Sequence, residues 1–355
     1  MPTMTPPDIF PISAETVYPN SVAGSRVRVE AFAEHLVPFG IDLRYRPTLS
    51  NREYQLIASP ATASRKALAV LSASTRLALR KRRVEPLLIY RLLLPLPLPG
   101  VDPPVRIAVY DFDDALFVGS MSAANRRYTW LKREVARCIT YMRLADLVIV
   151  GNGYLAERAR TYAKRVEVVP SCVDPWLQPL RVHRDKDVLT VGWIGAPSTS
   201  GYLDEVLPAF ARFNSSHLRA KLVLMGADRR IGAPWIEHRT WSLRSERTLL
   251  TELDIGIMPM PDSDWTRGKC GYKLLRYFSA GVPAIASPVG VNSAIVGTSR
   301  GVLASTNRDW QRALGALAGD WKARREMGAA SRRFVEREFS YQRWAPELAG
   351  MLRSA

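Results

Sequence analysis

Two short stretches hold the residues with the clearest chemical reach. In Arg267-Gly268-Lys269-Cys270-Gly271-Tyr272-Lys273, two lysines and an arginine sit beside two glycines where the pattern opens a helix. The stretch follows an expected strand (Ile255–Met260) and a polar loop (Pro261–Trp265). Cations at a helix start run against the macrodipole, which favours negative charge there. A bound polyanion resolves that conflict, so the stretch is expected to hold phosphate. It is not a P-loop, because the GxxxxGK[ST] spacing is absent. The other stretch is Tyr110-Asp111-Phe112-Asp113-Asp114 at the end of an expected strand. Its three carboxylates could hold a metal, act as a base, or bind hydroxyls or amines of a ligand. They could equally cap a helix and pair with a basic helix read over Asn125–Leu144.

Three further turns follow strands. Gly192–Thr199 precedes an expected helix at Tyr202–Phe213, and Gly195 lets a backbone approach a ligand. Ser198, Thr199 and Ser200 could cap that helix or donate to phosphate oxygens. In Ser287-Pro288-Val289-Gly290-Val291-Asn292, Gly290 and Val291 offer backbone donors, or the loop is an ordinary strand-to-helix connection. Asn152-Gly153 after Val150 repeats the geometry, with Asn152 as a cap.

The elements that must position these turns alternate strand and helix, as parallel sheets with crossover helices do. In the first half, Val27–Val37 reads as a helix and Ile41–Tyr45, Pro86–Leu94, Val105–Tyr110, Asp146–Gly151 and Val166–Val169 as strands. Pro170–Lys186, rich in proline and charge, reads as a linker. The second half restarts with strands at Val188–Ile194, Lys221–Met225, Ile255–Met260 and Pro283–Ser287. Helices are expected over Tyr272–Ala280, Asn307–Arg337 and Ser340–Leu352. In such sheets ligands sit beyond the carboxyl ends of strands, which is where the five turns fall.

The 355 residues suit two α/β domains, and 47% apolar content supports two cores. Three cysteines without CxxC spacing and four scattered histidines argue against zinc ribbons and disulfide frameworks. Met1–Phe10 is proline-rich, without the apolar stretch of a signal peptide. Leu87–Leu98, the most apolar run, is broken by Arg91, Pro95 and Pro97 and falls short of the ~18 residues a spanning helix needs. A reduced, cytoplasmic protein is expected. The net charge of +17 draws polyanions. Between Ala61 and Gly100 stand Arg65, Lys66, Arg76, Arg80, Lys81, Arg82, Arg83 and Arg91 against Glu85 alone. The 65–83 segment, with Leu68, Leu71, Leu77 and Leu79, reads as peripheral contact with the inner face of a membrane, or as a solvated helix end. Nucleic acid is not expected, since the basic run has no aromatic or glycine interleaving.

The run Gly268–Tyr277, with Ala280-Gly281-Val282-Pro283 and Ser287–Asn292, resembles the donor-site signature of the retaining GT-B glycosyltransferases of family four. Gly192–Thr199, Tyr110–Phe117, Ala145–Asn152, Val169–Asp174 and Ser25–Val29 extend the resemblance over nearly the whole chain. It implies an α/β GT-B fold of two Rossmann-like doubly wound domains facing across a cleft. The expected bounds are 1–178 for the acceptor-side domain, 179–338 for the nucleotide-sugar domain and 339–355 for a C-terminal helix crossing back to the first. The implied activity is transfer of a sugar from a nucleotide-diphosphate sugar to an acceptor hydroxyl or amine, with retention. The acceptor would be a small molecule or a lipid-linked or anionic glycan. Carried over by position, Lys269 and Lys273 would meet the diphosphate with Gly195, Ser198 and Thr199, while Arg276, Val289, Gly290, Val291 and Asn292 would complete the donor site. Asp113 and Asp114 would serve the reaction, and Asp111, Arg26 and Asn152 would lie on the acceptor side. No metal and no cofactor is expected, since the lysines can neutralise the diphosphate.

Two departures stand out. Many members carry two glutamates with seven residues between them, and here Gly268 and Arg276 take those places. A donor without a 2′-hydroxyl, such as a dTDP-sugar, would not need the missing ribose clamp. Many members also carry Arg and Lys after the first glycine turn of the second domain, where this chain has Ser and Thr. The rival functions are a nucleotide-sugar epimerase or hydrolase on the same architecture and a non-catalytic GT-B binding protein. An oxidoreductase is disfavoured because GxGxxG is absent after an early strand.

Overall fold

The structure, a computed structural model, describes residues 9–59, 62–79, 85–104, 106–119, 132–216, 219–228 and 230–355. The Arg80–Arg83 run, His217, and residues 125–131 of the expected basic helix lie outside these described residues. The chain forms two compact units, one of residues 1–171 with 341–355, the other of residues 172–340.

The first unit is built on strands β1 (Phe10–Thr16), β2 (Ile41–Pro47), β3 (Leu87–Tyr90), β4 (Ile107–Phe112), β5 (Ala145–Val150) and β6 (Val166–Val168). They pair in the order β2-β1-β3-β4-β5-β6, all parallel. The run Leu147-Val148-Ile149-Val150 is fully buried, as a strand covered on both faces requires. The helix Tyr341–Arg353 belongs to this unit. Its Tyr341 hydroxyl donates to the Val27 carbonyl at 3.2 Å, and its ring meets Phe32 edge-on at 4.9 Å.

The second unit holds β7 (Leu189–Ile194), β8 (Ala220–Met225), β9 (Ile236–Arg239), β10 (Ile255–Met258), β11 (Ala284–Ala286) and β12 (Gly301–Leu303). Their order is β12-β11-β10-β7-β8-β9, again all parallel. Read from the other edge this is the doubly wound 3-2-1-4-5-6 order, whose direction reverses between β7 and β10. Trp193, Trp310 and Phe210 fill one of its hydrophobic clusters, and Tyr277, Phe278 and Met258 another.

Several elements differ from the sequence reading. β1, β9 and β12 carry little β-branched character and were not expected as strands. Val27–Val37 is not one α-helix: a π-helical turn at Arg26–Glu30 precedes an α-helix at Ala31–Leu36. The expected strand Pro86–Leu94 stops at Tyr90, because Arg91 takes a left-handed backbone at φ 62°. Tyr202–Phe213 divides into a 3-10 stretch, Pro197–Glu205, and an α-helix, Leu207–Phe213. Pro208 explains the division, since it has no N–H to bond back one turn and its ring belongs in a first turn. The Pro170–Lys186 segment, read as a linker, is held by ion pairs and hydrogen bonds. Arg181 and Lys186 both reach buried Asp254, at 2.8 and 3.1 Å, and His183 bonds the Gly281 carbonyl at 2.8 Å. Arg181 and Lys186 are thus ion-pair partners of a buried aspartate, which composition alone does not distinguish from solvated charge.

Candidate functional site

In the second unit, the turn after β7 and the helix Tyr272–Ser279 meet at the reversal point of the sheet. Lys273 Nζ lies 4.2 Å from the centroid of the Trp193 ring and 3.4 Å from Thr199 Oγ1. A Cβ placed on Gly195 would come within 2.3 Å of that ring and 2.7 Å of the ammonium. Glycine is therefore required there for lysine and indole to share the space. Burial, with the Lys269 charge added, lowers the Lys273 pKa from 10.5 to about 7. Lys269 itself rests over Trp265, 4.9 Å from the ring centroid. Two lysines held together, one of them short of solvation, form a site that an anion would stabilise.

The Arg267–Lys273 and Pro288–Val291 turns pack against each other. Gly290, at φ 56°, sits where a Cβ would strike the Arg267 carbonyl at 2.8 Å. Gly271, at φ 68°, faces Ile295 at 2.4 Å and Val291 at 3.3 Å by the same measure. Val289 is buried, and its N–H bonds the Ser287 carbonyl at 2.8 Å. Asn292 is fully buried and donates to the Ser287 carbonyl at 3.0 Å, while its Oδ1 has no protein partner. The serine and threonine hydroxyls of the first turn do not cap a helix, one of the two roles open to them in the sequence. Thr199 donates back to the Ala196 carbonyl at 3.0 Å and Ser200 to that of Pro197 at 2.8 Å, while Ser198 is exposed. The 3-10 stretch that starts at Pro197 explains this, because its hydroxyls stand over the preceding turn.

Arg276 does not stand open. Its Nε donates to Glu246 Oε1 at 2.7 Å, and Trp241 Nε1 donates to Glu246 Oε2 at 2.6 Å. Neither partner was singled out from the sequence, since both come from the segment after β9, a strand the pattern did not reveal.

In the first unit, the three aspartates lie at the carboxyl ends of β3 and β4, each engaged by an arginine. Arg28, from the π-helical turn, bonds Asp111 through Nε at 3.1 Å and Nη2 at 2.9 Å, and its Nη1 reaches the Val169 carbonyl at 2.5 Å. Arg91 bonds Asp113 at 2.8 Å and also pairs with Asp114. The Tyr90 hydroxyl donates to Asp113 at 2.6 Å. Gly24 permits this packing, because a Cβ there would lie 2.3 Å from the Tyr90 oxygen. Burial raises the Asp111 pKa to about 6 despite Arg28. Burial would also raise Asp113, but Arg91, Arg28 and the Tyr90 hydroxyl overcome it and hold that carboxyl near 2. Asp113 is thus a lasting anion and a weak base, suited to accepting hydrogen bonds from a hydroxyl or ammonium. Arg137, in the described part of the expected basic helix, Glu134–Leu144, pairs with Asp102. Arg26 donates to the Asn20 carbonyl at 2.8 Å, and Asn152 caps Gly153–Ala159 through the Leu155 N–H at 2.9 Å. Among the described residues no group of three or more His, Cys, Asp or Glu could hold a metal ion. An open cavity of about 420 Å³, lined by Glu34, His35, Pro38, Phe39, Gln342 and Ala345, lies by the start of β2, away from these strand ends.

Two doubly wound parallel units with a C-terminal helix returning to the first define the GT-B fold, the architecture of solved glycosyltransferases. Sucrose-phosphate synthase from Thermosynechococcus elongatus is similar at TM-score 0.67 and 14% identity, over 97% of this chain and 98% of that one. WaaG, a glycosyltransferase involved in lipopolysaccharide biosynthesis, matches at TM-score 0.65 and 11% identity, over 98% of this chain and 100% of its own. HepE from Anabaena, solved with UDP and glucose, matches at TM-score 0.65 and 12% identity with the same coverage. No protein-family model and no curated protein sequence matches the chain.

Proposed function

We propose that this protein is a glycosyltransferase that moves a sugar from a nucleoside-diphosphate sugar to an acceptor hydroxyl or amine, with retention of anomeric configuration as in family four. The observation that carries the reading is Lys273, held against Trp193 and Gly195 at the reversal point of the second sheet, with Lys269 beside it. Doubly wound sheets bind ligands at such a point, and a bound diphosphate would favour the charged form of Lys273. Glycosyl transfer builds charge on the leaving diphosphate. Fixed cations stabilise that charge without a metal, so activity should survive EDTA. A solved protein of the same fold holds UDP and glucose, which fits this ligand class.

In the first unit, Asp113 and Asp114 would orient the acceptor, with Arg91 fixing both. A thermal-shift screen against a nucleotide-sugar panel tests the donor. A true donor at 100 times its Kd adds about 2.7 kcal/mol, and no shift with any member would sink the reading. Sugar released or epimerised without acceptor would point instead to a hydrolase or epimerase.

We place the protein in the cytoplasm, at the inner face of a membrane. Among the described residues no helix is long and apolar enough to cross one. The helix Ala63–Leu79 has no acidic residue and exposes Leu68, Leu71 and Leu79, with Arg65 beside them. A basic, leucine-bearing surface of this kind suits anionic headgroups. Cosedimentation with vesicles containing phosphatidylglycerol, but not with pure phosphatidylcholine, is expected. Its loss in Leu68→Glu/Leu71→Glu would tie contact to this helix, and equal sedimentation of both proteins would exclude it.

A further inference from the structure

One helical turn beyond Lys273 stands Arg276, its neighbour on the same helix face. The Arg276 guanidinium and the Trp241 indole hold the two oxygens of Glu246, at 2.7 and 2.6 Å. Glu246 is 6% exposed, in the first turn of the helix Leu243–Glu252 that follows β9, and so stands at the carboxyl end of the sheet, where such folds bind ligands. A Cβ on Gly226 would lie 3.7 Å from Trp241 Cβ and 2.2 Å from the Gly195 carbonyl oxygen. Gly195, Gly226 and Trp241 therefore lie side by side, linking the turn under Lys273 to the indole and, through it, to the Glu246 carboxylate. A buried ion pair adds little net stability and is often replaceable by apolar residues. Stability alone does not account for one placed here.

We propose that Glu246, aimed by Arg276 and Trp241, accepts a hydrogen bond from a ribose hydroxyl of a bound nucleoside diphosphate and so selects ribonucleotides over 2′-deoxynucleotides. The inference rests on the nucleotide-sugar reading above. An ionised carboxylate has about four acceptor positions, and these two donors fill two. Phosphates anchored at Lys273 leave the sugar of the nucleoside to fall next along the surface, within reach of the remaining positions. Arg276 is then a positioning residue. The deoxyribose donor suggested by a bare arginine at this place is disfavoured, because a carboxylate has been restored from the neighbouring helix Leu243–Glu252.

The test is isothermal titration of the full chain with UDP, GDP, their 2′-deoxy counterparts and inorganic pyrophosphate. The wild type should bind a ribonucleotide about tenfold or more tightly than its deoxy form, the loss expected for one hydrogen bond to a charged group. Glu246→Ala should erase that preference and leave pyrophosphate binding unchanged. The paired variant Glu246→Leu/Arg276→Leu removes both charges together and should do the same if the single variant fails to fold. Equal binding of ribo and deoxy forms by the wild type would overturn the inference while leaving the donor reading intact. So would equal weakening of pyrophosphate and nucleotide in the variants, the mark of a merely structural pair. Failure of the wild type to bind any of these ligands would overturn the donor reading, and the inference with it.

Discussion

At the residue scale, the chemistry turns on the proton that Lys273 holds. In the free protein it gives up its proton near pH 7, whereas an unfolded lysine keeps it to about 10.5. The unfolded chain thus binds more protons across that window, and this residue's effect on stability improves as pH rises from about 7 to 10.5. A diphosphate works the other way, because it is held by the charged form. Nucleotide binding at pH 8 should therefore take up close to one proton, and affinity should fall as pH rises above 7. Titrations in buffers of different ionisation enthalpy measure this directly, and zero uptake would remove Lys273 from the site. Lys273→Ala should lower transfer rate at least about tenfold with the protein still folded; wild-type turnover would refute the role. The lysines and glycines were legible in the sequence because they act within one short turn. The partners were not. Arg28 finds Asp111 from 83 positions away, and Arg276 finds Glu246 from 30. Only folding brings such pairs together. Arg28 lies in a stretch the sequence did mark, but Arg26 was chosen from it.

At the element scale, the site depends on glycines where two elements converge. The space above Gly195 is filled by Trp193, which is fully buried and cannot retreat. Gly195→Ala should therefore expel the Lys273 side chain from its seat on the ring. Binding of UDP or pyrophosphate should weaken at least about tenfold, read by titration beside a melting curve that shows the fold retained. Unchanged affinity would mean that the lysine's seat is not the anion site. Most strands were legible from their apolar runs, with ends displaced by a few residues. β9 was not, since Ile236-Glu237-His238-Arg239 is an edge strand with polar, exposed residues. With β9 unseen, Trp241 and Glu246 had no reason to attract notice. Pro208 was in plain view, and its power to divide a helix outweighed the apolar spacing of Tyr202–Phe213.

At the scale of the whole molecule, alternating strands and helices foretold two parallel sheets, but the order of strands within each sheet came from no local signal. The helix Tyr341–Arg353 buries Ala345, Leu348, Ala349 and Leu352 in the first unit. At ~1.5–3 kcal/mol for a fully buried large aliphatic side chain, its loss is a large share of the ~5–15 kcal/mol that holds a domain folded. A chain ending at Ser340 should keep a protease-resistant second unit while the first is digested, as limited proteolysis with mass spectrometry would show. Equal resistance of both units would contradict this. The same helix sets an order of assembly. A ribosome completes residues 172–340 as one uninterrupted stretch, so the second unit can close while synthesis continues. The first unit, begun earlier, must wait for residues that come after its neighbour is finished. The half of the protein made first is thus the half completed last, and its open sheet is the part a chaperone would have to guard.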